Sequence, residues 1–121
     1  MRSRPDILTD RVVEDIPYRV DEYGYLTDPD AWTPSFATAV AGDEGLTLTE
    51  AHWQVIAFMR SYLEERGIAA DARFVMWNLA ARNGVAKREG RALLFQLFPY
   101  GYVKQACKIA GMRQPRAWST G

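Results

Sequence analysis

The sequence predicts a mainly α (α+β) fold: a compact helical bundle of about five helices, a small N-terminal β-hairpin and an extended C-terminal arm. Three observations carry that prediction. From Thr33 onward, apolar residues recur at helical spacing between recognisable capping residues. Before it, Tyr18-Arg19-Val20 and Tyr25-Leu26 flank a tight turn. After Gly111 the chain passes into a segment holding Pro115 and two arginines, with no apolar period.

Residues 1–15 are polar and weakly patterned, and are expected to lie on the surface or fray. Asp21-Glu22-Tyr23-Gly24 supplies the hairpin turn, with glycine available for a positive φ, and Asp28-Pro29-Asp30 stops the hairpin. Thr33 followed by Pro34 reads as an N-cap and first helical position, opening a helix that ends near Gly42. Thr49 caps a second helix running to Arg66, with Gly67 closing it. Its residues Val55, Ile56, Phe58, Met59, Tyr62 and Leu63 share a broad apolar sector, opposite Gln54, Arg60, Ser61 and Glu64. A third helix is expected over 71–82, with Phe74, Val75, Met76 and Leu79 inward, and a fourth over 87–98 with Leu93, Leu94 and Leu97 as its stripe. Pro99 breaks the chain. A fifth helix covers 102–110 and stops at Gly111, leaving 112–121 as the arm.

Length and composition bound what such a fold does. At 121 residues the chain makes one domain, 1–121, able to bury roughly two-thirds of its unfolded surface. The 48% hydrophobic and 25% charged fractions are those of a globular protein. No apolar run approaches the ~20 residues of a membrane span, so membrane insertion is not expected, and the N-terminal stretch has no apolar core of a secretory signal. One cysteine excludes an internal disulfide and points to the reducing cytoplasm. The net charge of zero hides an asymmetry: residues 1–50 balance to −7 and residues 51–121 to +7. The two halves either neutralise each other across the fold or orient a partner.

Counting also narrows the chemistry. With one His, one Cys, no CxxC and no HExxH, a zinc site lacks ligands, and no metal or cofactor is expected. No glycine-rich phosphate loop is present. His52, in the first turn of the second helix, reads as a surface or hydrogen-bonded histidine, and Glu64-Glu65 and Asp43-Glu44 read as solvated pairs. Cys107 is the residue whose neighbourhood suggests reactivity, in Lys104-Gln105-Ala106-Cys107-Lys108 with Arg113 and Arg116 beyond. Cations lower a thiol's pKa, whereas a place near the C-terminal end of a helix raises it; Lys104, one turn back, tilts the balance toward lowering. A lone cysteine is more often a small buried packing residue. Trp118 on the arm can dock on its own domain or anchor in a partner's pocket. The third and fourth helices, with Arg73, Arg82, Lys87, Arg88 and Arg91, fit a helix-turn-helix outline, but a pI near 6.6 is below the footprint of a dedicated DNA binder.

The C-terminal segment Leu97-Phe98-Pro99-Tyr100-Gly101, followed by Lys104-Gln105-Ala106-Cys107-Lys108-Ile109-Ala110-Gly111-Met112, resembles the signature of the DsrC/TusE sulfur-relay family. Asp21 to Leu26, Asp28-Pro29, Trp32, Leu48-Thr49, His52-Trp53, Glu65, Gly67-Ile68 and Arg73 extend the resemblance over most of residues 18–115. The resemblance implies a helical bundle with an N-terminal hairpin and a mobile arm. It also implies sulfur carried as a cysteine persulfide or trisulfide. The implied partners are small sulfurtransferase complexes (DsrEFH/TusBCD-like) or siroheme sulfite reductase, in sulfur oxidation, sulfite reduction or tRNA thiolation. The family's main carrier is a penultimate cysteine on the arm; this chain keeps the upstream one, as Cys107, and has Trp118 at the terminal position. The residues then allow two readings. In the first, Cys107 is a persulfide carrier aided by Lys104 and Lys108, with Arg73, Arg113 and Arg116 binding partners, so that the protein is a co-substrate and not a stand-alone enzyme. In the second, it is a non-catalytic regulatory or binding relative, with DNA among the partners it could hold.

Overall fold

A computed structural model of the protein describes residues 7–115. Two strands, β1 (Leu8–Val13) and β2 (Ile16–Asp21), form an antiparallel hairpin in the register Leu8↔Asp21 to Val13↔Ile16. The expected hairpin was one strand too late. Residues 8–13, expected to fray or lie loose on the surface, are its first strand, and the two-residue turn is Glu14-Asp15 at φ 51° and 68°. Such a turn needs positive φ at both central positions, which glutamate disfavours and aspartate tolerates. The Asp21–Gly24 turn is also present: Asp21 Oδ1 accepts from Tyr23 N at 2.8 Å and Tyr25 N at 3.0 Å. Beyond that turn the chain makes a single bridge, Val20↔Leu26, and not a strand.

The helices lie where their caps put them. Asp28 caps a 3-10 turn, Pro29–Ala31, and Thr33 Oγ1 accepts from Phe36 N at 3.2 Å to open α1 (Pro34–Asp43). The same hydroxyl bonds Tyr18 OH at 2.7 Å, which joins the hairpin to the helix start. Helix α2 spans Glu50–Arg66 and ends at Gly67 with φ 75°. Asp71 caps α3 (Ala72–Arg82). The expected fourth helix divides into a 3-10 turn, Lys87–Glu89, and α4, Gly90–Leu97. The fifth divides more unusually, into a π-helical turn, Tyr102–Ala106, and then α5, Cys107–Ile109.

One core joins all of them. Phe36, Ala37 and Val40 of α1, Val55, Ile56 and Met59 of α2, and Val75 and Leu79 of α3 pack with Leu94, Phe98, Ala106, Cys107, Ile109 and Met112. Phe74 and Met76, expected inward, are only half-buried. Gly90 lets α4 approach α3: a Cβ there would lie 2.1 Å from the Met76 carbonyl oxygen. No helix among the described residues is long and apolar enough to cross a membrane.

Candidate functional site

The π turn decides where Cys107 sits. Its amide donates to the Tyr102 carbonyl, one residue beyond α-helical spacing. The wider turn brings the Tyr102 side chain beside the thiol. The Tyr102 hydroxyl donates to the Ala70 carbonyl, in the loop between α2 and α3. Met112 N donates to the Cys107 carbonyl at 2.9 Å. Cys107 is fully buried, yet it borders a cleft of about 1050 Å³ that also takes in Arg60, Tyr62, Phe74 and residues 112–115.

The environment of the thiol is apolar, contrary to the basic setting expected from the sequence. Burial pushes the Cys107 thiol up to about 12, and the neighbouring Tyr102 hydroxyl offsets only part of that. Desolvation of the anion outweighs nearby donors in a site this dry. Lys104 points outward and is exposed. Lys108 is turned to Glu44 at 3.1 Å, and Gln105 Nε2 donates to the other oxygen of the same carboxylate at 2.8 Å. Glu44 was expected to be solvated; its side chain retains only 17% of its exposure, because it ties the end of α1 to the turn carrying Cys107.

The predicted partner-binding residues do not converge. Arg113 lines the cleft and donates to Thr27 O at 3.0 Å. Arg73 is held by Asp71 at 3.2 Å outside the cleft lining, as are Lys104 and Lys108. Arg116 and Trp118 lie outside the described residues. In the helix pair proposed for DNA, Lys87 lies 4.4 Å over the Trp77 ring, Arg91 4.9 Å over Phe95, and Arg82 bonds Asn78. Arg82 and Arg91 are thus laid along their own helices, and Lys87 reaches from the 3-10 turn across to α3.

Three residues to which the sequence assigned no role at the site, Arg60, Trp32 and Gly111, hold the root of the arm. Arg60 donates to Pro29 O at 2.8 Å and Ala110 O at 3.2 Å, and stacks 4.7 Å over the Trp32 ring. Trp32 Nε1 donates to Ile109 O at 2.9 Å. Gly111, at φ 80°, passes so close that a Cβ would lie 2.4 Å from Trp32. Burial lowers the Arg60 pKa, partly offset by Asp30 and Glu64. No periodicity marks Arg60, which lies opposite its helix's apolar sector. His52, read as an ordinary hydrogen-bonded histidine, is one. Its Nδ1 accepts from Thr49 N at 3.0 Å, so Nε2 carries the proton donated to Leu97 O at 2.6 Å. No group of three or more potential metal ligands occurs among the described residues.

The family described as DsrC like protein matches residues 12–117. A sulfurtransferase TusE of Pectobacterium atrosepticum is 40% identical over 95 residues, covering 78% of this chain and 86% of that one. The TusE of Sodalis glossinidius is 42% identical, with 78% and 87% covered. Among solved structures, Allochromatium vinosum DsrC superposes with a TM-score of 0.77 at 37% identity, covering 95% of this chain and 98% of that one. The oxidised γ-subunit of dissimilatory sulfite reductase from Archaeoglobus fulgidus gives 0.77 at 31% identity, with 93% and 98% covered. None of these relatives points to DNA.

Proposed function

The chain belongs to the DsrC-like family of sulfur-relay proteins, and we propose that it passes sulfur through Cys107 while docked on a sulfur-handling partner. The placement of the thiol supports this reading: Cys107 borders the large cleft together with residues 112–115, which form no helix or strand. At rest, with a pKa near 12, about one thiol in 10⁵ is ionised at pH 7. Displacement of 112–115 by a partner re-solvates the sulfur and returns its pKa toward the ordinary range. The thiolate then attacks the outer sulfur of a donor persulfide. The donor's S–S bond breaks, a new one forms on Cys107, and the donor leaves as a thiolate, with no net oxidation.

The relatives' names supply the partner class: a sulfurtransferase relay, or a dissimilatory sulfite reductase of which DsrC is a subunit. A cytoplasmic setting keeps a lone thiol reduced. The burial of Cys107, together with Trp118 at the terminal carrier position, favours a second reading. In it, the protein occupies a relay docking surface without carrying sulfur.

One experiment separates the two. The intact protein is incubated with a persulfide donor, with and without a sulfur-handling partner complex, beside Cys107→Ser. A gain of one sulfur atom on the wild type alone, passed on to an added acceptor, supports transfer at Cys107. No gain under either condition, with a thiol that resists alkylation until the chain is unfolded, leaves the docking role.

A further inference from the structure

The end of α2, the outer side of α3 and the 3-10 turn before α4 carry a strip of aromatic rings, each with a cation over it. Tyr62 and Phe74 stack at 5.9 Å, and Phe74 meets Trp77 edge-on at 5.6 Å. Arg66 lies 4.9 Å over the Tyr62 ring, Arg73 5.9 Å over Phe74 and Lys87 4.4 Å over Trp77. We propose that this strip is a docking surface for an acidic segment of a partner protein, one in which carboxylates flank a large apolar side chain.

Charge complementarity is the first argument. Residues 72–91 hold five bases and one acid, Glu89, and Arg66 reaches the same strip over Tyr62. Of these six bases, Arg73 alone meets a carboxylate among the described residues, that of Asp71. A ring beneath a long cationic side chain restricts it and leaves its outer N–H groups to solvent. Those donors are pre-organised for carboxylates, and their common sign steers an acidic partner toward this face. The second argument is apolar. Trp77 keeps 37% of its exposure, and Val85, in the turn that follows α3, keeps 43%. Aromatic and Arg side chains exposed together are the composition of interface anchors. A nucleic-acid strand fits less well. Its bases need open ring faces, whereas Tyr62 and Phe74 cover each other and cations lie over all three rings. Tyr62 and Phe74 also line the cleft that Cys107 borders, so the strip reaches the mouth of that cleft. No reactive thiol is needed, and the surface would serve whether or not Cys107 carries sulfur.

The test titrates the full isotope-labelled chain with a synthetic peptide of glutamates around one central leucine, up to about 1 mM, following amide shifts by NMR. The expected shifts cluster at Tyr62, Arg66, Phe74, Trp77 and Lys87. Arg66→Glu combined with Lys87→Glu should weaken binding about tenfold, as should raising salt from about 0.05 M to about 0.5 M. Trp77→Ala, at the surface, should weaken it about fivefold. The same peptide with glutamines in place of glutamates should leave the cluster unmoved. No clustered shifts, or equal shifts with the glutamine peptide, would overturn the proposal. So would an oligouridine that displaces the peptide and binds more tightly at the same amides, which would make the strip a nucleic-acid face.

Discussion

At the scale of single residues, Cys107 sets a sign that can be measured. Its pKa is raised on folding from 9.0 to about 12, so the folded thiol keeps its proton where the unfolded one has lost it. The contribution is therefore intact below pH 9 and is lost as pH rises toward 12, at about 1.4 kcal/mol per pH unit. Cys107→Ala lacks this slope. Urea unfolding of both proteins from about pH 8 to about pH 11 should show wild type losing roughly 2–3 kcal/mol relative to the variant. A constant difference would mean that the thiol is solvated. His52 gives a second prediction. It bridges Thr49 at the start of α2 to Leu97 at the end of α4, with its ring edge-on to Phe98 at 5.1 Å. His52→Ala removes both hydrogen bonds and the ring from a buried position, at a cost of about 2–4 kcal/mol. Because His52→Gln restores an acceptor and a donor, it should recover part of that cost in the same urea titration.

At the scale of elements, close approach decides whether α3 and α4 pair. Gly90→Ala would set a methyl 2.1 Å from the Met76 carbonyl oxygen, which is backbone and cannot swing aside. The helices must part, and a loss of about 2–4 kcal/mol is expected by thermal or urea unfolding, although alanine is the better helix former. A gain in stability would show that α4 shifts freely. The same scale explains what was legible. Thr33-Pro34 and Thr49 with Gly67 announced their helices because capping is local chemistry. The hairpin turn was not legible. Glu14 adopts positive φ against its propensity, beside an Asp15 that only tolerates it, and the pairing of β1 with β2 holds both there. The π turn escaped for a related reason, since Tyr102 is fixed by Ala70, far away in sequence. Cys107 stood out through its motif, but its burial depends on Ala70, Tyr102 and Met112 meeting around it, which spacing does not encode.

At the scale of the whole molecule, the opposed charges of the two halves meet, among the ion pairs of the described residues, at a partly buried point. Glu44–Lys108 joins them, whereas Arg11–Asp43, Arg19–Asp10 and Arg73–Asp71 each stay within one half. Glu44 also receives Gln105, whose own carbonyl accepts Tyr100 N at 3.0 Å, while Lys108 sits 5.5 Å over the Tyr25 ring. The carboxylate thus anchors the turn that positions Cys107. Glu44→Ala would leave the Lys108 ammonium and the Gln105 amide nitrogen partly buried without their carboxylate, and about 3 kcal/mol is the expected cost. Glu44→Gln keeps an acceptor for one of them and should lose less. Salt separates this pair from an ordinary surface one. Arg19–Asp10, both more than half exposed, should contribute under 1 kcal/mol and fade as the Debye length shrinks from about 10 Å at 0.1 M to about 3 Å at 1 M. The Glu44→Ala deficit should survive the same change, because solvent ions do not reach between its partners. Urea midpoints of both variants at the two salt concentrations decide the matter. If the Glu44→Ala deficit screens away like that of Asp10→Ala, the site is wetter than its burial implies, and charge, not packing, orients the turn that carries Cys107.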